Sequence, residues 1–308
     1  MNTDQDWSSI PNLLAVPEPV RDMDWLRRAM QWAVQLELAT LPPYLCALWS
    51  IDQDAGGARQ AVDGITMDEM AHFASVADIL ISIQGRPAIN GAAAPRYPGV
   101  LPGNVHPGLR IELGPLNDAQ LTLFMKIEEP FEPIPKLAAE EKFATIGKLY
   151  EAIIKAFGAL KPEIHTAGQV RRSFSTLKQV MDELEKIALE GEGYKTDPRY
   201  KGQLTHHYVF GQILHGRRFV QTQTGWDYVG PRLERPTLHE LDGEADLAMA
   251  ENVAFNRTYS AMLDAMHDTW NGQPARWRDA SRFMYALPAL GQAVMKRRRW
   301  PSFTYIQR

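Results

Sequence analysis

Cysteine is almost absent. Cys46 is the single one in 308 residues, so no disulfide can form within the chain. One thiol fits a reducing compartment, and the expected location is the cytoplasm. Net charge is scarce as well: 33 basic against 37 acidic residues leave -4, without the basic excess of a general nucleic-acid binder. The local exception, Lys296-Arg297-Arg298-Arg299 beside Trp300, reads as a solvated helix end. Long apolar runs are missing too, since Glu, Pro or Gly interrupts each well before the ~18 residues of a bilayer span. Met1 to Pro19 is polar and acidic and lacks the basic-then-apolar pattern of a secretion signal. There is no internal repeat and no low-complexity tract. What remains is the expectation of a soluble chain, 45% hydrophobic, with apolar content for one large domain or two small ones.

Helical periodicity fills most of that chain. Residues 22 to 41 read as an amphipathic helix that Asp22 or Asp24 can cap, with Trp25, Leu26, Ala29, Met30, Ala33 and Thr40 at helical spacing. Pro42-Pro43 should kink or interrupt it, and Tyr44 to Ile51 resumes. Residues 58 to 84 form the clearest helix. Val62, Ile65, Val76, Ile79 and Ile83 make one stripe, and Asp68, Ser75, Asp78 and Ser82 make an opposite, solvent-facing one. Gly85 and Pro87 mark its stop. Residues 86 to 117, rich in Pro and Gly, have no period and read as a long ordered loop or cover. Further helices are expected at 118–129, 134–142, 144–158, 173–190, 203–217, 243–271 and 275–297, with 219–241 irregular. The fold class is all-α: a bundle over 1–220, then a C-terminal helical extension, 221–308, packed on the same domain.

The chemistry lies in acids and histidines on faces that should be buried. Glu69 and His72 fall at i and i+3 within the apolar stripe of the second long helix, so both project into the core from adjacent turns. A buried carboxylate is costly unless paired or bound to a metal, and Glu-x-x-His is the spacing that carboxylate-bridged two-metal bundles use. Glu37 lies opposite Arg28 and shares the face of Met30, Ala33 and Thr40, so it also points inward. The second half of such a site needs more ligands. Glu151 is a candidate on 144–158, with Glu251 as its competitor. Glu192, between Gly191 and Gly193, follows a helix C-terminus, where negative charge opposes the dipole and a bound cation would explain its placement. His207 has Phe210 and Leu214 on its face, with His206 as competitor, and Glu128, on the face of Leu121 and Phe124, can orient a ligand from outside. Tyr44, Tyr150 and Tyr208 read as core packing. His106, His165, His215, His239 and His267 have no partner in the pattern and read as structural or exposed.

Several segments carry a resemblance. Leu36-Glu37-Leu38-Ala39-Thr40-Leu41-Pro42-Pro43-Tyr44-Leu45 resembles the signature of the ferritin-like family of iminophenyl-pyruvate dimer synthases, which includes a domain of a violacein-pathway protein. Asp68-Glu69-Met70-Ala71-His72, Tyr97-Pro98-Gly99, Phe124 to Pro130, Ile146 to Glu151, Gly191-Glu192-Gly193 and His207-Tyr208-Val209-Phe210 follow in the family's order. The match covers roughly residues 25 to 215. It implies a ferritin-like bundle with Glu37, Glu69, His72, Glu192 and His207 as metal ligands, and Glu151 with them. The chain departs from the ferritin pattern in lacking a second Glu-x-x-His on one helix. It also reads Glu190 before Gly191-Glu192, which leaves Glu190 and Glu192 both open as the ligand. Dimer-synthase activity itself is not carried over.

Oxygen and imidazole ligands with few thiolates suit two iron or manganese ions. The expected activity is that of a dioxygen-dependent oxidase or oxygenase of a small organic metabolite in a biosynthetic pathway, with 86–117 as the cover. The alternatives are metal storage and a non-catalytic scaffold. The expected partners are the small-molecule substrate and dioxygen, with no nucleic acid or membrane, and a homo-oligomer is compatible with the reading.

Overall fold

The computed structural model describes residues 7–130, 145–191, 197–242 and 245–307. A short helix, α1 (Ile10–Leu14), leads into α2 (Met23–Trp49). The Asp22 carboxylate caps α2 by accepting from the backbone N–H groups of Asp24 and Trp25. Pro42-Pro43 does not interrupt α2, contrary to the sequence expectation. The prolines remove the N–H groups that would have bonded the carbonyls of Leu38 and Ala39. Tyr97 replaces one of them, donating its hydroxyl to the Ala39 carbonyl at 2.6 Å. Both prolines are buried, so packing holds the segment helical.

α3 (Ala58–Ser82) starts where Asp54 accepts from the N–H groups of Ala58 and Arg59, and Gly85 closes its end by donating to the Leu80 carbonyl. Its supposed solvent stripe needs correction. Ser75, Asp78 and Ser82 are fully buried. Asp78 accepts from the backbone N–H groups of Val170, Arg171 and Arg172 and from the Trp270 indole, at 2.6–2.8 Å. The reason is tertiary: elements from later in the chain cover both sides of α3, which periodicity in α3 alone does not reveal.

α4 (Asp118–Ile127) is capped by Asn117, and α5 (Ile146–Leu160) by Thr145. The helix expected at 134–142 lies outside the described residues. α6 (Leu177–Gly191) and α7 (His206–His215) follow, the latter ended by Gly216 at φ 60°. A final pair, α8 (Ala250–Trp270) and α9 (Trp277–Met295), completes the helices. Residues 86–117 form turns and a ribbon in which Gly99–Val100 pairs with Arg110–Ile111. Within 219–241, expected to be irregular, Val220–Thr222 and Gly225–Asp227 pair as a hairpin, and Thr237–Leu238 pairs antiparallel with Ile51–Gln53.

α2 and α3 are the central pair. α5 packs on α2 and α6, α6 on α3 and α7, and α4 on α7, while α8 and α9 pack against α3 and α2. One apolar core runs through all of them, from Ile10 to Phe303. No helix among the described residues is long and apolar enough to cross a membrane.

Candidate metal centre

α2 and α3 bring Glu37, Glu69 and His72 together in the core, where each is at most 5% exposed. His72 Nδ1 stands 3.4 Å from Glu69 Oε1 and 3.8 Å from Glu37 Oε2. A second group adjoins the first: His206 Nδ1 is 3.2 Å from the same Glu69 Oε1 and 3.6 Å from Glu128 Oε2. In each group the donor atoms lie within 4.8 Å of one another, and Glu69 belongs to both. The two imidazoles lie nearly parallel, with ring centres 5.9 Å apart.

Each histidine is backed by an acid. His72 Nε2 bonds Glu190 Oε2 at 2.9 Å, and His206 Nε2 faces Asp68 Oδ2 at 3.6 Å. Carboxylates behind imidazoles fix the ring and raise its basicity as a ligand. The acids in front are held as well: the Thr40 hydroxyl donates to Glu69 Oε2 at 2.8 Å, Tyr150 donates to Glu37, and Tyr44 donates to Glu128.

Ionisation follows from this crowding. Burial and the neighbouring Glu69 push Glu37 up to about 8, and the same two causes raise Glu128. Burial alone would lift Glu69 too, but His206 and His72 hold it below the usual carboxylate range. Burial opposes charge on His72, yet Glu190 and Glu69 raise it to about 10, and Asp68, Glu128 and Glu69 raise His206. In the metal-free chain, protons therefore fill the place of cations.

The donor set, carboxylates with imidazoles, suits metal: Glu37, Glu69 and His72 could hold an ion, and so could Glu69, Glu128 and His206, with Glu69 common to both groups. Two observations agree with that fit. Both ring nitrogens of His206 are buried and face carboxylates at 3.2–3.6 Å without a well-formed hydrogen bond among the described residues, an arrangement that an ion between them would complete. Between the acids and a lid of Ile127, Ile146, Ile187 and Ala188 lies a cavity of about 30 Å³. One water needs ~10–15 Å³, so this space takes two small ligands.

The family model described as Ferritin-like matches residues 30–215. The chain belongs to the ferritin-like family. A ferritin-like protein of Caulobacter vibrioides, solved by crystallography, superimposes with a TM-score of 0.69 at 19% identity, covering 92% of this chain and 99% of that one. Dichlorochromopyrrolate synthase of Lentzea aerocolonigenes is 22% identical over 90% of this chain, which spans 34% of that relative's length.

The structure distributes the sequence candidates of this ferritin-like chain unevenly. Glu37, Glu69 and His72 converge. His207 does not join them: it turns away and bonds the Met125 carbonyl at 2.8 Å, and burial lowers it to about 4. That bond ties the start of α7 to the end of α4, so that His206 and Glu128 face inward together. Glu151 does not reach the centre either; it is half-buried and pairs with Lys155 at 2.9 Å. Its competitor Glu251 pairs with Arg297 near the surface. Glu192 lies outside the described residues, while its neighbour Glu190 stands behind His72. The sequence pattern offers His206 only as the competitor of His207 and gives Glu128 an outer role, whereas the structure sets both facing the centre. A signal for His206 existed, since His206, Phe210 and Ile213 are spaced i, i+4, i+7 and all are buried.

Proposed function

We propose that this ferritin-like protein is a dinuclear iron or manganese oxidoreductase that uses dioxygen to oxidise a small organic metabolite. The observation that carries the reading is Glu69 shared between two buried ligand groups of mixed carboxylate and imidazole character. Two such ions, when bound, supply open positions and one electron each for reducing dioxygen. The chain's own groups would hold the ions between α2, α3, the end of α4 and the start of α7, and orient the imidazoles through Glu190 and Asp68. Tyr44 and Tyr150 offer hydroxyl protons beside the ligands.

The apolar wall beside the acids favours an enzyme over a store: a storage site would be flanked by further carboxylates, whereas Ile127, Ile146, Ile187 and Ala188 flank this one. The cavity beside the ligands is of dioxygen scale. The similarity to a protein named as a synthase supports a place in biosynthesis. The resemblance to iminophenyl-pyruvate dimer synthases points the same way. Iron-reconstituted protein should consume dioxygen from a reduced state, and Glu69→Ala should not. Absence of any iron- or manganese-dependent uptake would overturn the oxidoreductase reading.

A further inference from the structure

The second large feature of the molecule lies across the α2–α3 layer from the metal centre. Leu38, Leu41, Met70 and Phe73 neighbour Glu37, Thr40, Glu69 and His72 in sequence but face the opposite side, toward α8 and α9. There they line a cavity of about 450 Å³, within the ~300–1,000 Å³ of small-molecule sites. Five methionines, including Met262 and Met266, contribute to its wall. Their unbranched thioethers adapt to the shape of an apolar guest.

Tyr259, Arg171 and Arg172 stand out among the polar side chains of that wall. Tyr259 lines the cavity, is 1% exposed, and its hydroxyl has no hydrogen-bond partner among the described residues. That hydroxyl is buried from the open space as well, so Tyr259 presents its ring rather than a donor to a guest. The other two groups are Arg171 and Arg172, which line the same cavity and are exposed. The Arg171 guanidinium stands over the Trp277 ring at 4.8 Å, and Arg172 leans toward Glu183 at 3.7 Å. Their backbone N–H groups are pinned by Asp78, so the pair is held in place from beneath. Among the described residues, no acid lines the cavity.

We propose that this cavity binds a small amphipathic anion: an apolar body among the methionines and aromatics, and a carboxylate or sulfonate at Arg171 and Arg172. Arginine suits such a headgroup because its planar fork meets the oxygens two at a time. The site is separate from the metal centre, and its occupancy does not require metal.

The test uses the full chain and 8-anilinonaphthalene-1-sulfonate as a fluorescent probe. One saturable site per chain is expected, with equal affinity in metal-free and iron-loaded protein. The double variant Arg171→Gln/Arg172→Gln should weaken binding at least tenfold, and Ala74→Phe, which projects a ring into the cavity, should abolish it. Decanoate should displace the probe at concentrations at least tenfold lower than decan-1-ol. Binding that survives Ala74→Phe, or that is indifferent to both the arginines and the carboxylate, overturns the proposal. So does a cavity closed by a second copy, seen as a dimer by light scattering that excludes the probe. If circular dichroism shows Ala74→Phe to be unfolded, the arginine double variant decides alone.

Discussion

Replacing His206 and His207 separately by alanine asks which histidine faces the metal centre. In the metal-free chain His206 stands between Glu69 and Glu128, 3.2 and 3.6 Å away, all three buried. His206→Ala leaves two buried acids without their cation, a change that costs about 3–5 kcal/mol when one partner of a buried charge pair is removed. Protonation of Glu128 and water filling the vacated space should reduce this toward the lower figure. With metal present, the Glu37–Glu69–His72 group is intact, so the metal content should fall from two ions to one. His207→Ala instead loses a neutral hydrogen bond to Met125 at 2.8 Å, worth about 1–3 kcal/mol where it leaves a buried carbonyl unmet. Its metal content should stay near two, with weaker affinity because α7 is less firmly tied to α4. Urea unfolding of the apo proteins and elemental analysis of the loaded ones give both numbers. If His207→Ala lost an ion and His206→Ala kept both, the geometry of the second group would be refuted.

Other outcomes follow from the same contacts. Glu190→Gln should lower metal affinity about 10–100-fold through His72 without changing the number of ions at saturation; isothermal titration with manganese checks it, and an unchanged affinity would remove Glu190 from the account. Glu151→Gln should leave metal content intact and stability within about 0.5 kcal/mol, since its bond to Lys155 is exposed. Asp78→Ala should destabilise by 3 kcal/mol or more, because three backbone N–H groups and the Trp270 indole lose their acceptor, on the order of 1 kcal/mol each. Its chemical denaturation midpoint should therefore drop well below that of Glu151→Gln. The metal-free protein should also lose stability as pH rises. Glu37, raised from 4.5 to about 8, contributes stability that is full below 4.5 and gone above about 8. His72, raised from 6.5 to about 10, contributes below 6.5 and loses it through about 10. Between pH 7 and 9 the apo melting temperature should fall, while metal affinity rises as the competing protons leave. A flat apo profile with pH-independent affinity would contradict the proton-for-metal exchange.

The first half of the centre was legible because helical phase alone aims Glu37, Glu69 and His72 inward. The second half was not, for reasons visible in the structure. Glu128 sits just past the end of α4 and His206 opens α7, where one turn of helix carries little phase information and adjacent histidines compete. Their meeting depends on α4 packing against α7, a contact between segments 82 positions apart. The mostly helical, ferritin-like architecture emerged from periodicity and motif order together. Pro42-Pro43 misled because the compensating hydroxyl of Tyr97 comes from a segment without any period. Asp78 and its neighbours read as solvent-facing because the cover over that face arrives from α8 and the segment before α6. In each case the missing information is tertiary.

The central claim is a two-ion centre bridged by Glu69, and anomalous diffraction from crystals of iron-loaded protein addresses it most directly. Two peaks are expected, roughly 3.5–4 Å apart as in known two-metal sites. One should lie among Glu37, Glu69 and His72, and the other among Glu69, Glu128 and His206. A single peak, or peaks away from Glu69, would contradict it.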